Sequence, residues 1–362
     1  MGSVNVEQVT KRYGSVTAVD QLSFLVREGE FVSLLGPSGC GKTTTLRIIA
    51  GLTRPDGGGV EISGRNVNDV PAYQRNIGMV FQDYALFPHM IVAENIAFGL
   101  RMRGVPVAQI RDRVRRALEL VQLPGLEDRY PRQLSGGQQQ RVAVARGLAI
   151  EPAVFLLDEP LSNLDLKLRM QMRLELRQLQ QKLGITTVFV THDQGEALNL
   201  SDRVIVMDAG RIVQSGSPVE IYEQPRTRFV AEFIGESNFF EGEVVDARNS
   251  RAVVRTPAGL LLQSAASAPM ARGERVLVVV RPERIHVVRD AEGTAANHVR
   301  GRIEHISYSG ASTRYLVRLQ TGQAVLVDVP APTHGLGEMV SLTWEAERSR
   351  IVQENGSAGG TT

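Results

Sequence analysis

Residues 36–43 read Gly36-Pro37-Ser38-Gly39-Cys40-Gly41-Lys42-Thr43, directly after the apolar run 30–35 and directly before the helical run 44–50. Glycines at these spacings let consecutive backbone N–H groups wrap phosphate oxygens without Cβ clashes. The helix that follows directs its positive end at the anion. Lys42 is then expected to reach the β- and γ-phosphates of a nucleotide and Thr43 to ligate magnesium. The stretch therefore predicts a phosphate site between a strand and a helix.

This stretch has plainer interpretations when it is taken alone. A glycine-rich turn without a ligand would satisfy the same pattern, since glycine is common in turns. Cys40 is the chain's one cysteine, so it cannot form an internal disulfide or join a multi-cysteine metal site. We interpret it as a small residue tolerated in the loop and not as a reactive thiol.

Outward from this loop, residues 1–235 alternate short β-rich runs with helical patterns, which is typical of a parallel sheet covered by helices. The runs 30–35, 153–157 and 186–190 are apolar enough to be buried strands. A helix opened by Pro106 is expected because its apolar positions fall on one face. Those positions are Ile110, Val114, Ala117, Leu118 and Val121. In such folds ligands bind at the carboxyl ends of the strands.

Polar residues follow two of these strands. Asp158 and Glu159 end the apolar run 153–157, where unpaired charges would be costly without a cation or proton to handle. We expect Asp158 to hold magnesium and Glu159 to polarise the attacking water. His192 follows the run 186–190, from where its imidazole could touch a γ-phosphate. The alternatives are two exposed turn carboxylates and a structural histidine.

After about residue 235 the sequence changes to short alternating segments broken by glycines, which predicts a small all-β barrel over 236–355. A disordered tail is expected at 356–362. From residue 236 onward, 14 Asp and Glu balance 14 Arg, with no Lys. A barrel that holds nucleic acid would be basic, so we expect no nucleic-acid partner.

Composition narrows the class further. The chain has a formal net charge of +2 and 43% hydrophobic residues, which is typical of a soluble globular protein. No apolar run approaches the roughly 20 residues that span a bilayer, and no signal peptide opens the sequence. The chain is therefore not expected to form a channel by itself, and the cytoplasm is its expected compartment.

Residues 134–141 read Leu134-Ser135-Gly136-Gly137-Gln138-Gln139-Gln140-Arg141, before an apolar-periodic helix expected over 142–149. Ser135 can cap a helix there, with backbone N–H groups facing an anion. This stretch resembles the signature of ABC ATPases. Further motifs resemble those of the family in the same order, namely Tyr13 for adenine stacking, Gln82 of the Q-loop, the D-loop Ser162-Asn163-Leu164-Asp165, and His192 as the switch histidine.

The resemblance implies an α/β P-loop NTPase domain of ABC type with a helical subdomain over 1–235, followed by an OB-like TOBE barrel. It implies ATP and Mg²⁺ as cofactors. The catalytic set is Lys42, Gln82, Glu159 and His192, and the metal ligands are Thr43, Gln82 and Asp158. The nucleotide-binding set is Tyr13, Gly36, Pro37, Ser38, Gly39, Cys40, Gly41, Lys42, Thr43, Thr44, Gln82, Ser135, Gly136, Gly137, Gln138, Asp165 and His192.

Partners follow from the same resemblance. In the family each ATP lies between the phosphate loop of one subunit and the signature of another, so one of each implies a homodimer. Residues 236–352 are similar to the barrel appended to ATPases of binding-protein-dependent importers, with Val280-Arg281-Pro282-Glu283 as a shared motif. This implies two transmembrane permease subunits, a substrate-binding protein, and a peripheral position on the cytoplasmic face of the inner membrane. Helical residues around Gln82 are expected to receive a permease helix, including Tyr84, Leu86, Phe87 and Pro88.

The substrate is less closely constrained. The segments 233–242 and 161–169 resemble the spermidine/putrescine importer subfamily. Importers of ferric iron, sulfate, phosphonate or sugars are close alternatives. A soluble ABC ATPase of DNA repair or translation is a more distant one, because no second cassette, coiled-coil insertion or zinc cysteines are visible. A regulatory role for the barrel would be compatible with transport.

Overall fold

The computed structural model describes residues 2–248, 250–266, 268–288 and 296–352. The chain divides into two compact units, Met1–Val219 and Glu220–Thr362. The predicted tail 356–362 and the final residues of the predicted second domain lie outside the described residues. The predicted boundary at residue 235 stays a prediction. It falls sixteen residues beyond the division between the two units.

The first unit combines strands and helices in alternation. Its strands are β1 (Val4–Tyr13), β2 (Val16–Val26), β3 (Phe31–Leu35), β4 (Gly57–Ile62), β5 (Arg65–Asn66), β6 (Ile77–Val80), β7 (Val154–Asp158), β8 (Thr186–Thr191), β9 (Arg203–Asp208) and β10 (Arg211–Gly216). Its helices are α1 (Lys42–Ala50), α2 (Val92–Met102), α3 (Val107–Leu120), α4 (Gly136–Leu148), α5 (Leu166–Leu183) and α6 (Gln194–Leu200). Short 3₁₀ turns lie at Ala72–Gln74 and Pro131–Gln133.

The central sheet has the strand order β10-β9-β3-β8-β7-β6. All neighbours in it are parallel except β10, which pairs antiparallel with β9. Strands β3, β7 and β8 are buried along their whole length, as their continuous apolar sequences predict. Leu35 pairs with Thr191 and Asp158 pairs with Val190. The C-terminal ends of β3, β8 and β7 therefore lie next to one another at one edge of the sheet. The predicted α/β fold with a parallel sheet is confirmed.

A second sheet, in the order β2-β1-β4-β5, is antiparallel throughout. Helix α1 shares a hydrophobic core with it and with one face of the central sheet. Another core joins the opposite face of the central sheet to helices α2 to α5. The phosphate loop and α1 are therefore held from two sides by buried apolar residues.

Helix α3 agrees with its sequence prediction, whereas helix α4 begins earlier than predicted. In α3 the predicted apolar face is buried and Pro106 is the N-cap. Helix α4 was expected over 142–149, but it begins six residues earlier, at Gly136. The Ser135 hydroxyl accepts from the Gln138 N–H, and the Gln138 side-chain oxygen accepts from the Ser135 N–H. These two reciprocal bonds allow the helix to start at two glycines.

The second unit is built mainly from strands. They are β11 (Asn238–Arg248), β12 (Arg251–Arg255), β13 (Leu261–Ala265), β14 (Arg275–Val280), β15 (His286–Val288), β16 (Asn297–Tyr308), β17 (Thr313–Leu319), β18 (Ala324–Val329), β19 (Met339–Trp344) and β20 (Ser349–Val352). Helices α7 (Pro218–Glu223) and α8 (Arg228–Phe233) precede them, and 3₁₀ turns lie at Pro282–Arg284 and Ala346–Arg348. A closed barrel, β11-β12-β13-β20-β14, and a sheet, β15-β19-β16-β17-β18, share one apolar core.

The two halves of this unit repeat one plan. Asn238 begins β11 and Asn297 begins β16, and each buried amide bonds the backbone of a neighbouring strand. Gly242 and Gly301 follow at the same offset, and a Cβ at either would lie 2.6 Å from a carbonyl oxygen across the sheet. The closing strands are exchanged, because β15 pairs with β19 and β20 pairs with β14. The second unit is therefore an interlocked tandem duplication.

The motif 280–283 explains how α7 and α8 are held within the second unit. Arg281 is buried and donates to the carbonyls of Tyr222, Ala231 and Glu236, at 3.0, 3.0 and 3.1 Å. Its guanidinium carbon lies 4.3 Å from the Tyr222 ring centroid, and the Tyr222 hydroxyl donates to Glu283 at 2.8 Å. Burial and that bond raise the pKa of Tyr222 to about 12. Arginine and glutamate thus fasten the two short helices to the strands.

Within the described residues, none of the helices combines the length and the hydropathy that crossing a membrane requires.

Candidate active site

The loop between β3 and α1 is shaped by two glycines and one lysine. A Cβ on Gly36 would lie 2.3 Å from the Met207 carbonyl oxygen, so no other residue fits there without backbone movement. Gly41 has a φ of 103°, which only glycine adopts readily. Lys42 is buried, and its Nζ donates to the carbonyls of Gly36 and Pro37 at 2.8 Å each. The loop therefore surrounds the ammonium group that would meet a phosphate.

Thr43 and Asp158 meet across the sheet edge. The Thr43 Oγ1 donates to the Asp158 Oδ1 at 3.0 Å. Burial raises the pKa of Asp158, and the Thr43 bond and the nearby cations Arg47 and Lys42 only partly counter that effect. Hydroxyl and carboxylate oxygens are the ligands that Mg²⁺ prefers, so this pair has the chemistry of a magnesium site. The structure brings together two of the three residues predicted for the metal.

Glu159 lies at the centre of the second group of predicted residues. Its Oε2 is 3.0 Å from the His192 Nδ1 and 3.5 Å from the Gln82 Nε2. Its φ is 44°, a left-handed value that is uncommon for a non-glycine residue, and its N–H donates to the Val190 carbonyl. The Glu159 side chain is 18% exposed and that of His192 is 55% exposed. A glutamate so placed can accept a proton from a water on the solvent side.

The D-loop, residues 162–165, is bonded to this glutamate and to the glutamine loop. The Ser162 hydroxyl donates to the Glu159 carbonyl at 2.9 Å, and the Asn163 side-chain amide donates to the Gln82 carbonyl at 2.9 Å. Asp165 accepts from the Leu168 N–H at 3.1 Å and is the N-cap of α5. Its structural role is thus helix capping, and its contact with nucleotide stays a prediction.

The signature residues lie at the N-terminus of α4. The Ser135 Oγ accepts from the Gln138 N–H, and the Gln138 Oε1 accepts from the Ser135 N–H. A Cβ on Gly137 would lie 2.8 Å from the Leu168 side chain, so glycine allows α4 to approach α5 closely. The structure places the signature beside the start of α5, next to the D-loop.

Tyr13 and Cys40 are two further predicted contacts. Tyr13 ends β1 with 51% of its surface exposed, and the Lys11 ammonium lies 5.5 Å from its ring centroid. An exposed ring can stack on a base. Cys40 is buried and its pKa is raised by burial in spite of the nearby Lys42. Its thiol is therefore disfavoured as a thiolate.

The segment that follows Gln82 is not helical, contrary to our expectation for Tyr84 and Phe87. Residues 82–90 form turns between β6 and α2. Tyr84 and Ala85 both have left-handed φ values, 62° and 46°. Such consecutive strain persists only when surrounding contacts hold it.

Two residues that were not predicted from the sequence fix this segment through hydrogen bonds. Arg146 of α4 donates to the carbonyls of Tyr84 and Ala85 at 2.8 and 2.6 Å, and burial lowers its pKa. Asn95 of α2 is fully buried and bonds both the N–H and the carbonyl of Phe87. A single arginine among the apolar and small residues 142–149 was the signal available in the sequence.

Comparison with known proteins gives two family matches. Residues 19–162 match the ABC transporter family, and residues 278–352 match the TOBE domain. The chain is 50% identical over 356 residues to the spermidine/putrescine import ATP-binding protein PotA of Rubrobacter xylanophilus, covering 97% of this chain and 93% of that protein. It is 48% identical to the protein of the same name from Thermobifida fusca, with the same coverage.

A solved structure is similar to part of the chain. It is a dimeric ATP-binding cassette in a post-hydrolysis state, bound to ADP and phosphate. The similarity has a TM-score of 0.54 and 35% sequence identity, and it covers 59% of this chain and 98% of that one.

Proposed function

The chain belongs to the ATP-binding proteins of the ABC transporter family, and we propose that it hydrolyses ATP to drive the import of spermidine or putrescine. One observation carries the proposal. A relative named as a spermidine/putrescine import ATP-binding protein is 50% identical along nearly the full length of both chains, including the second unit. Relatedness of that extent covers both the domain that hydrolyses ATP and the barrel that follows it.

The phosphate loop would bind ATP through its backbone and Lys42. Backbone N–H groups of 36–43 would surround the β-phosphate, and the Lys42 ammonium would exchange its two carbonyl partners for phosphate oxygens. Thr43, Asp158 and Gln82 would hold Mg²⁺, which when bound offsets the negative charge of the β- and γ-phosphates. The exposed Tyr13 would stack on adenine.

Glu159 would act as the general base on the attacking water. Its carboxylate is shared between His192 and Gln82, so both neighbours orient it. His192, with its largely exposed side chain, would contact the γ-phosphate from the other side of the water. A base held in one orientation contributes both proton transfer and positioning to the rate.

We propose a homodimer in which each ATP is shared. The solved cassette that resembles the first unit is dimeric. Ser135, Gly136, Gly137 and Gln138 would supply backbone N–H groups and a hydroxyl to the ATP of the other copy, since a helix N-terminus favours an anion. Hydrolysis would remove the γ-phosphate that joins the two copies, and the dimer would open.

The other partners would be two permease subunits and a substrate-binding protein. The strained turn 84–90, held by Arg146 and Asn95, is our proposed contact for the permease because its backbone is fixed while Ala85 and Pro88 are exposed. The chain would lie peripherally on the cytoplasmic face of the membrane. Functionally we assign residues 1–235 to the ATPase domain and 236–355 to the barrel.

The test is to purify the protein through a tag in mild detergent and measure ATPase activity with candidate binding proteins. We expect two permease subunits to co-purify. A binding protein loaded with spermidine or putrescine should stimulate hydrolysis, whereas the same protein without solute should stimulate less.

Two other outcomes would correct the proposal. Stimulation only by iron, sulfate, phosphonate or sugar would keep the importer and change its substrate. Ribosomes or nucleic acid in place of permeases would overturn the importer. The matched control is the complex of the Glu159→Gln variant, which should assemble equally but show no stimulated hydrolysis.

A further inference from the structure

Arg169 joins the D-loop to the turn that carries His192. It lies in the first turn of α5, and its Nη2 donates to the carbonyls of Leu164 and Ser162 at 2.9 and 3.4 Å. The same guanidinium lies 3.7 Å from Asp193 and 4.0 Å from Glu196. Both acids belong to the N-terminus of α6, immediately after His192.

These contacts close a ring around the catalytic turn. Glu159 bonds His192 through its carboxylate and the Ser162 hydroxyl through its carbonyl. Ser162 in turn accepts from Arg169, which pairs with Asp193, the neighbour of His192. We call these five residues the Arg169 ring. The ring gives movement of the D-loop a side-chain route to His192, in addition to the route through Asn163, Gln82 and Glu159.

The two sets of Arg169 contacts differ in strength. The Leu164 carbonyl is within ordinary hydrogen-bond distance, whereas both carboxylates lie beyond 3.5 Å. Among the described residues, Arg169 Nε and Arg173 Nε are both buried without a hydrogen-bond partner, but of these two arginines only Arg169 also bonds the D-loop carbonyls. An arginine with an unused buried donor beside two carboxylates can exchange carbonyl partners for carboxylate ones at little cost.

We propose that Arg169 is a positioning residue that couples the D-loop to His192. When the D-loop moves, Arg169 releases the carbonyls and pairs fully with Asp193 and Glu196, which moves the His192 turn relative to Glu159. The inference rests on the proposed roles of Glu159 and His192. Arg169 itself contacts neither of their side chains, so it acts through the turn.

Arg173 provides a matched control on the same helix. Its Nη2 lies 3.2 Å from Asp193 and 3.6 Å from Glu196, so it contacts the same acids. Its ion pairs are shorter than those of Arg169, and the described contacts of Arg173 do not include the D-loop carbonyls. If ion pairing to α6 were the whole role, substitution of Arg173 would have at least as large an effect as substitution of Arg169.

The experiment compares Arg169→Lys with Arg173→Lys in the full chain. Lysine keeps the charge but loses the planar fork that reaches carbonyls and carboxylates together. We expect Arg169→Lys to lower kcat about tenfold while KM and the Kd for MgATP change less than about threefold, since misplacing a catalytic group affects the chemical step. Arg173→Lys should stay within about twofold in all three. Thermal unfolding midpoints should be alike in the two variants.

A second measurement separates positioning from general damage. In a His192→Ala background, Arg169→Lys should lower kcat by less than about twofold, because the residue through which it acts is gone. An undiminished tenfold loss in that background would overturn the inference, as would equal kcat losses for Arg169→Lys and Arg173→Lys. A wild-type complex with its permeases that does not hydrolyse ATP would instead contradict the proposed function.

Discussion

The phosphate loop and the Glu159 turn are neighbours at one sheet edge, but they are held in different ways. Lys42 bonds carbonyls five and six residues before it, within its own loop. Glu159 meets His192 across 33 residues of sequence and Gln82 across 77. The first region carries its own side-chain partners, whereas the second is assembled only when the sheet, α5 and α6 are in place.

This difference separates binding from hydrolysis. A loop whose lysine is held locally can keep its affinity for phosphate while the rest of the domain moves. A base that depends on residues from three segments is sensitive to any change in their relative positions. With the proposed roles of Lys42 and Glu159, we expect the chemical step to be more sensitive than nucleotide binding to movements within the domain.

The largest expected effect comes from removing the proposed base. Glu159→Gln keeps the size of the side chain and can still bond Gln82 and His192, but it cannot accept a proton. We expect ATP turnover to fall by about 100-fold or more, while the Kd for MgATP changes less than about threefold. Steady-state phosphate release and a fluorescent-nucleotide titration measure the two quantities.

Turnover within about twofold of wild type would show that Glu159 is not the base. A large loss of affinity would show that the two regions are not separable. In that case nucleotide binding would depend on the Glu159 turn as well as on the Lys42 contacts, and the distinction between the two regions would be wrong.

The second prediction tests whether the phosphate loop also depends on contacts with residues outside the loop. Gly36→Ala brings a Cβ within 2.3 Å of the Met207 backbone oxygen on β9 and 2.6 Å of the Cys40 sulfur. We expect the free energy of unfolding to fall by about 2–3 kcal/mol, since overpacking against fixed backbone is costly. Chemical denaturation at constant m-value measures it.

Gly39→Ala is the matched control in the same loop. Gly39 has a φ of 81°, but a Cβ there would meet nothing within 4 Å. The expected cost is about 1 kcal/mol, from the left-handed backbone alone. If both substitutions lower the free energy of unfolding equally, the Met207 backbone can move away from the added Cβ. The loop would then depend only on contacts within itself, as the Lys42 bonds suggest.

The sequence predicted those parts of the fold that depend on neighbouring residues. Buried strands β3, β7 and β8 and the apolar face of α3 follow directly from apolar runs and helical periodicity. The predicted capping role of Ser135 is confirmed, but the regular apolar pattern indicated a helix only over 142–149. The reciprocal bonds of Ser135 and Gln138 extend α4 back to Gly136 in spite of its two glycines.

Features that depend on distant residues could not be predicted in this way. The strained turn at Tyr84 and Ala85 is determined by Arg146, more than sixty residues later in the chain. The repeat in the second unit is hard to see in the sequence because β11 and β16 share only Asn and Gly as identical residues at matching offsets. Their buried apolar positions also match, at Phe240 and Val299 and at Val244 and Ile303, but with different side chains. The phosphate loop, Asp158, Glu159 and His192 were predicted from motif and strand ends, and Tyr13, Gln82, the signature and the D-loop by resemblance. Their contacts came from the structure.

The smallest expected effect is on stability, and it comes from the buried charge of Asp158 at the sheet edge. Burial raises the folded-state pKa of Asp158, so the folded protein binds that proton more strongly than the unfolded chain does. The free energy of unfolding therefore falls as pH rises from the unfolded pKa to the folded one, and the penalty is fully present above both. Asp158→Asn removes the charge while its amide oxygen can still accept from Thr43.

We expect the thermal midpoint of Asp158→Asn to exceed that of wild type by roughly 2–4 °C at pH 7 without nucleotide. The difference should shrink as the pH is lowered towards 4, because protonation removes the same charge from the wild-type protein. ATP turnover should be lost, since the substitution removes the one negatively charged ligand from the proposed magnesium site. A midpoint that is lower than wild type at pH 7 would show that the ionised carboxylate is stabilised by Lys42 and Arg47 more than burial destabilises it, and that the two regions share their electrostatics after all.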